Sequence, residues 1–135
     1  MLDVFDKFAV NLDAELNGTW KTFMGAQFLI ARSGNKNFNK ALTDGYTTHA
    51  EVLDKKDEAA DKVAEKILNE AIANTLILDW KGVAYQGKEV KYTRQNAIEL
   101  LSKPELRDFR LALLSMADDV ENFLLKHEEE QTKNS

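Results

Sequence analysis

The sequence contains no cysteine, one proline and six glycines among its 135 residues. Without cysteine there are no disulfides and no thiolate chemistry, which is in keeping with a reducing compartment. Proline and glycine are the residues that most disfavour helix interiors, so their scarcity favours helices over a strand-rich fold. Low-complexity linkers and internal repeats are also missing. We therefore expect one domain over residues 1–126, followed by a polar, flexible tail over residues 127–135.

A surplus of basic residues is missing as well. Lys and Arg number 18 against 23 Asp and Glu, the formal net charge is −5, and no run of basic residues occurs. Binding to DNA or RNA is therefore not expected. Apolar stretches such as "TFMGAQFLIA" fall short of the ~20 residues that cross a bilayer. The first residues, "MLDVFDKFAV", lack the basic region of a signal peptide. These features predict a cytosolic protein.

The sequence also lacks a recognisable catalytic or metal-binding signature. The two histidines, His49 and His127, lie in no nucleophile or zinc motif. Asp118, Asp119 and Glu121 could in principle bind a cation, but a solvated helix face explains them without a metal. We predict no enzyme activity, no metal and no cofactor.

The first third of the chain is its least helical part. "GTWKTF" and "QFLIAR" are rich in aromatic and branched residues and are bounded by glycines, which predicts a β-hairpin at about residues 19–32. Residues 2–16 fit helical spacing, yet "VFDKFAV" could equally add a strand to the hairpin. "SGN" at 33–35 is better explained by a turn and an Asn helix cap than by an anion site.

Helical spacing dominates the middle of the chain. It predicts a helix at about 35–53, which Gly45 weakens and could divide in two, and a second helix at about 57–79. Continuing the second pattern places Leu76 and Trp80 on the same apolar face. Trp80 is thus interpreted as a packed corner before Gly82, with a loop carbonyl in 81–92 accepting from its indole N–H.

Two capping signals precede the remaining helices. Thr93 is positioned to cap a helix at about 94–102. Ser102 and Glu105 form a capping-box pattern with Pro104 in the first turn, which predicts a helix over 104–126. Its apolar stripe is wide enough to serve both core and partner, and the candidate interaction surface comprises Leu106, Leu113, Leu114, Val120, Phe123 and Leu124. The expected fold is mainly α (α+β), a helical bundle-like domain with a short N-terminal β-hairpin.

Three segments together resemble the tail assembly chaperones of long-tailed, siphovirus-type bacteriophages. They are "FDKFAVNLDAELNGTWKTFMGAQFLIARSGNKNFNKAL", "LILDWKGV" and "YTRQNAIELLSKPELRDFRLALLSMADDVENF". In order, they span most of residues 4–123, and the stretch between about 42 and 68 contributes little. The motif positions carried by the resemblance are Trp20, Gly34, Asn35, Trp80, Gly82, Pro104 and Phe109, and most are expected to be structural.

The resemblance implies a non-enzymatic protein of the host cytoplasm that is absent from the mature virion. Such a protein keeps the helical tape-measure protein soluble, helps recruit tail-tube subunits and self-associates into a homo-oligomer. The leading alternative is a small acidic helical adaptor or inhibitor that binds a basic partner, and its binding would weaken steeply with salt.

Overall fold

The computed structural model describes residues 1–125. The predicted tail over 127–135 and His127 lie outside the described residues. In chain order the elements are α1 (Val4–Phe8), α2 (Leu12–Asn17), β1 (Thr19–Phe23), β2 (Ala26–Ile30), α3 (Lys36–Thr48), α4 (Ala50–Asp54), α5 (Glu58–Thr75), β3 (Ile77–Lys81), β4 (Ala84–Tyr85), β5 (Lys88–Glu89), α6 (Arg94–Ser102) and α7 (Arg107–Asp118). Short 3-10 helices cover Pro104–Leu106 and Val120–Asn122.

A three-stranded antiparallel sheet has the order β1-β2-β3, and one of its faces contributes to the core. β1 and β2 pair as a hairpin in which Phe23 faces Ala26, so the loop is Met24 and Gly25 alone. Both loop residues have positive φ, +50° and +83°, as the turn of a two-residue hairpin requires. The hairpin thus lies within the range that the sequence predicts.

The third strand was not predicted. The expected helix at 57–79 ends at Thr75, and residues 77–81 pair with β2 instead, with Trp80 opposite Phe28. Extended backbone is favoured here because the branched and aromatic side chains suit a strand and because β2 would otherwise leave one edge unpaired. The extrapolation that carried Leu76 and Trp80 along the helical stripe was therefore wrong, although both side chains are buried, at 0% and 4% exposure.

The expectation of a helical bundle-like domain is also wrong. The fold is mixed α+β, because the sheet supplies part of the core against which the helices pack. Phe109 of α7 lies against Phe28 of β2, with ring centroids 6.1 Å apart. Sheet and helix residues share one apolar cluster, which includes Phe28, Ile30, Ile72, Ile77, Trp80, Leu100, Leu113 and Phe123.

The ambiguity over residues 2–16 resolves into two short helices with one β-bridge beside them. Asp3 caps α1 by accepting from the Asp6 amide (3.1 Å), and Asn11 caps α2 by accepting from the Ala14 amide (3.0 Å). Between the helices, Val10 forms an isolated antiparallel bridge with Leu124. α1 is short because Asn11 starts a new helix eight positions after Asp3, and α2 ends before Gly18, whose φ is +94°.

Gly45 does not divide the predicted helix at 35–53. α3 runs through it, and the break comes at His49, the residue between α3 and α4. A Cβ atom at position 45 would lie 2.6 Å from Cγ2 of Ile67. Gly45 therefore permits the close approach of α3 to α5.

The start and end of the predicted helix at 104–126 also need correction. Thr93 caps α6 as expected, its hydroxyl accepting from the Asn96 amide at 2.9 Å. The capping box is not formed, because the Ser102 hydroxyl donates to the Ile98 carbonyl (2.6 Å) and a 3-10 helix follows. α7 ends at Asp118, where Asp119 starts a second 3-10 helix by accepting from the Glu121 amide (3.0 Å).

Candidate functional site

An exposed group of large apolar side chains lies at the N-terminal end of the chain. None of the residues of α1 is buried. Val4 and Phe5 lie four and three positions before Phe8, a spacing that places each of them beside Phe8 on the helix surface. We call the following set the N-terminal apolar surface: Leu2 (66% exposed), Val4 (65%), Phe5 (69%), Phe8 (63%) and Leu12 (76%).

Backbone hydrogen bonds hold this surface against the folded domain. The Asn11 amide donates to the Phe123 carbonyl at 2.8 Å, and the Leu125 amide donates to the Ala9 carbonyl at 3.1 Å. Phe123 itself is 1% exposed, so its backbone is fixed by the core. The surface is therefore presented at a defined place, although its own side chains contribute little to the core.

The exposed apolar area of the N-terminal apolar surface is larger than that of any one exposed residue. From their exposed fractions, the two Phe and three aliphatic side chains offer roughly 300–600 Å² of apolar area. Patches of this size on a monomer are often binding sites. At ~25 cal/mol per Å², covering it would supply roughly 8–15 kcal/mol, which is comparable to the cost of association.

The charges beside this surface are mainly acidic. Asp3, Asp6 and Asp13 lie in or beside the two short helices, against one basic residue, Lys7. The Lys7 ammonium lies 3.6 Å from the Asp6 carboxylate. An apolar surface with an acidic border is complementary to an amphipathic helix with a basic border.

The two tryptophans of the motif set occupy different environments. Trp80 is buried, and its indole N–H donates to the Val90 carbonyl at 2.8 Å, within the predicted range of acceptors. Its ring meets Tyr92 edge-on at 5.2 Å. Trp20, by contrast, lies on the outer face of the sheet at 38% exposure, with the Lys81 ammonium 4.5 Å from the ring centroid.

The other motif positions make turns and caps. Gly34 and Gly82 have φ of +81° and +77°, conformations that favour glycine. The Asn35 side chain accepts from the amides of Asn37 and Phe38 at 2.8 and 3.0 Å, which confirms the predicted Asn cap. Pro104 opens the 3-10 helix, and Phe109 is half-buried against Phe28.

The interaction surface predicted on residues 106–124 is partly wrong. Leu113 and Phe123 are each 1% exposed and belong to the core. Leu106, Leu114, Val120 and Leu124 are only partly exposed. The helical stripe was wide because α7 packs against a sheet as well as helices, so its width did not indicate a free face. The pattern of residues 2–12 contained the larger exposed surface, but spacing alone could not show that these side chains are exposed in the folded domain.

The acidic residues considered as cation ligands do not converge. Among residues 1–125, no group of three or more His, Asp or Glu side chains is arranged to hold a metal ion. Asp119 instead caps a 3-10 helix. Within the same range, every helix falls short of the length or hydropathy of a membrane-spanning helix.

Together these features define a small α+β domain that exposes a group of apolar side chains at its N-terminal end. Met24, which is 90% exposed, lies apart from this group on the hairpin turn. The family model of the YdaY prophage protein matches residues 33–134. The chain therefore belongs to this family and is phage-derived. The N-terminal apolar surface precedes the matched segment. No curated protein and no solved structure matches the chain.

Proposed function

We propose that this protein is a non-enzymatic tail assembly chaperone, acting in the host cytoplasm and absent from the mature virion. Its partner is the tape-measure protein, which it keeps soluble while tail-tube subunits are recruited. Membership of a prophage family and the resemblance carried by three ordered segments support this proposal. The single observation that carries it is the N-terminal apolar surface, with Phe5 and Phe8 at its centre.

The proposed mode of binding follows from the chemistry of this surface. A long helical protein that is not yet covered by tube subunits exposes apolar helix faces, and these need an apolar counterpart to stay in solution. The two phenyl rings are large, rigid anchors of the kind that dominate helix-in-groove recognition. The neighbouring carboxylates favour partner helices that carry Lys or Arg beside their apolar stripe.

The test is co-expression of the full chain with the tape-measure-like product encoded beside it, followed by size exclusion with light scattering. We expect the wild-type chain to co-elute with a soluble partner. A Phe5→Ser/Phe8→Ser variant should fold normally, because both side chains are about two-thirds exposed, yet leave the partner insoluble.

A matched control is Leu111→Ser. Leu111 is 51% exposed, lies on α7 and is not part of the N-terminal apolar surface. This variant should retain the partner. The assignment of partner binding to the N-terminal apolar surface would be refuted if both variants lost the soluble partner equally, or if the double variant retained it fully. If binding is lost in moderate salt but is unaffected by the Phe5→Ser/Phe8→Ser substitutions, the acidic adaptor is favoured instead. Binding of that kind depends on attraction between charges, which salt screens.

A further inference from the structure

A second surface with the opposite charge lies at the other end of α7. Helices α3, α5, α6 and α7 enclose an open groove of about 620 Å³. Its apolar lining comes from Tyr46, Ala64, Leu68, Leu101 and Pro104. The size is typical of a ligand site. We call this feature the basic groove.

Two guanidinium groups border the basic groove. They belong to Arg107 and Arg110, against the single carboxylate of Glu65. Lys103 also lines the groove, but its ammonium lies 4.9 Å from the ring centroid of Tyr85, a residue outside the groove. Glu65 already pairs with Arg110 at 3.1 Å. The groove is thus locally positive on a chain whose net charge is −5.

Arg110 is held in place for binding. Its Nη1 donates to Glu65 Oε1 (3.1 Å) and to Asn69 Oδ1 (2.9 Å), and Asn69 is 2% exposed. A guanidinium has five N–H donors. Within residues 1–125 the three on Nη2 and Nε meet no protein acceptor. A fixed guanidinium with free donors binds carboxylates in bidentate geometry.

We propose that the basic groove binds an acidic peptide segment of a partner protein, one that carries a Leu or aromatic side chain between Glu or Asp residues. The apolar side chain enters between Tyr46 and Leu68, and the carboxylates meet Arg107 and Arg110. Glu105 and Asp108 occupy the same turns but do not line the groove. Charge complementarity therefore selects the occupant.

A nucleic acid is the less suitable occupant. Phosphate-backbone binding needs a stripe of basic residues along the surface. The basic groove offers two guanidinium groups beside an apolar floor, and the chain as a whole carries a net charge of −5.

The groove and the N-terminal apolar surface are independent sites. Arg107 begins α7, whereas Phe123 and Leu125, beyond its end, hold the N-terminal segment. Twelve helical residues separate them by about 18 Å. The chain can therefore engage an apolar basic helix at one end and an acidic segment at the other.

The experiment uses the full chain and a fluorescein-labelled short peptide of Glu alternating with Leu and Phe. We expect anisotropy to rise on binding and to fall as salt is increased. The same peptide with Gln in place of Glu should bind at least about tenfold more weakly. A labelled single-stranded oligonucleotide should not compete.

Variants separate the groove from general charge effects. Arg107→Glu should weaken peptide binding by about tenfold or more. Its matched control, Lys36→Glu, makes the same charge change at an exposed residue at the start of α3 and should alter affinity by no more than about twofold. Tyr46→Ser tests the apolar wall. Circular dichroism verifies that each variant is folded.

Three results would overturn the proposal: no binding of the Glu peptide to the wild type, equal loss in Arg107→Glu and Lys36→Glu, or displacement by the oligonucleotide. The Phe5→Ser/Phe8→Ser variant should bind the peptide normally. Failure at the N-terminal apolar surface is thereby distinguished from failure at the groove.

Discussion

Replacing Trp80 provides a quantitative test of the packing at the junction of sheet and helices. The indole is 4% exposed, and it makes edge-on contacts with Phe28 (6.3 Å) and Tyr92 (5.2 Å). Truncating a buried Trp to Ala costs about 3–5 kcal/mol. The two aromatic pairs, each worth about 0.5–1.5 kcal/mol beyond burial, place Trp80 towards the upper end of this range. We expect Trp80→Ala to lower the free energy of unfolding by about 4–5 kcal/mol.

A conservative substitution isolates the hydrogen bond. Trp80→Phe keeps a ring in the core but leaves the Val90 carbonyl without its 2.8 Å donor. Losing one partner of a buried hydrogen bond costs about 1–3 kcal/mol. The matched control is Trp20→Phe, because Trp20 is 38% exposed. It loses only part of a cation–π contact with Lys81, worth about 0.5–1 kcal/mol.

Urea unfolding followed by far-ultraviolet circular dichroism measures all three variants in the same way. A native domain of this size has roughly 7–20 kcal/mol of stability, so Trp80→Ala should remain folded with a much lower midpoint. The reasoning is refuted if Trp80→Ala loses less than ~2 kcal/mol with an unchanged m-value, or if Trp20→Phe costs as much as Trp80→Phe.

Two further substitutions test the close helix approach and the alkaline limit. Gly45→Ala should gain ~1 kcal/mol of helix propensity but lose about 1–3 kcal/mol through the clash with Ile67. Thermal melts should therefore show net destabilisation. In a double-mutant cycle, adding Ile67→Ala should remove the part of the loss that comes from the clash. Burial raises the pKa of Tyr92 above its ordinary value of 10.0, so stability is complete below that pH and falls as pH rises through the folded-state pKa. Tyr92→Phe removes the hydrogen bond to the Ile77 carbonyl (2.8 Å) and should lower the free energy of unfolding by about 1 kcal/mol at neutral pH. Its urea midpoint should fall less than that of the wild type as pH rises towards ~11. Equal pH dependence in the two proteins would contradict this.

Local signals in the sequence predicted local structure well. The Asn35 and Thr93 caps form, and the hairpin lies where glycines and β-branched residues predict it. Each depends on interactions within a few residues, so short-range chemistry was sufficient. The indole partner of Trp80 was also found within the range expected.

Features that depend on distant residues were missed. The apolar spacing of the preceding helix continues to Trp80, but residues 77–81 form hydrogen bonds with the edge of β2 and become a strand. The Ser102 hydroxyl could either accept from the Glu105 amide, as a capping box requires, or donate to a carbonyl one turn earlier. It donates to the Ile98 carbonyl within α6. Leu113 and Phe123 were interpreted as a surface because the packing of this part of the chain against the sheet was not anticipated. Tertiary context outweighed local preference in each of these cases.

The bridge between Val10 and Leu124 has a consequence for how the protein is made. A ribosome releases residues 1–32 long before β3 or Phe123, their partners in the finished sheet and core. At roughly 5–20 residues per second, this interval lasts on the order of 5–20 s. Phe28, which is 2% exposed in the finished fold, is uncovered on the nascent chain during that time, whereas Phe5 and Phe8 stay exposed throughout.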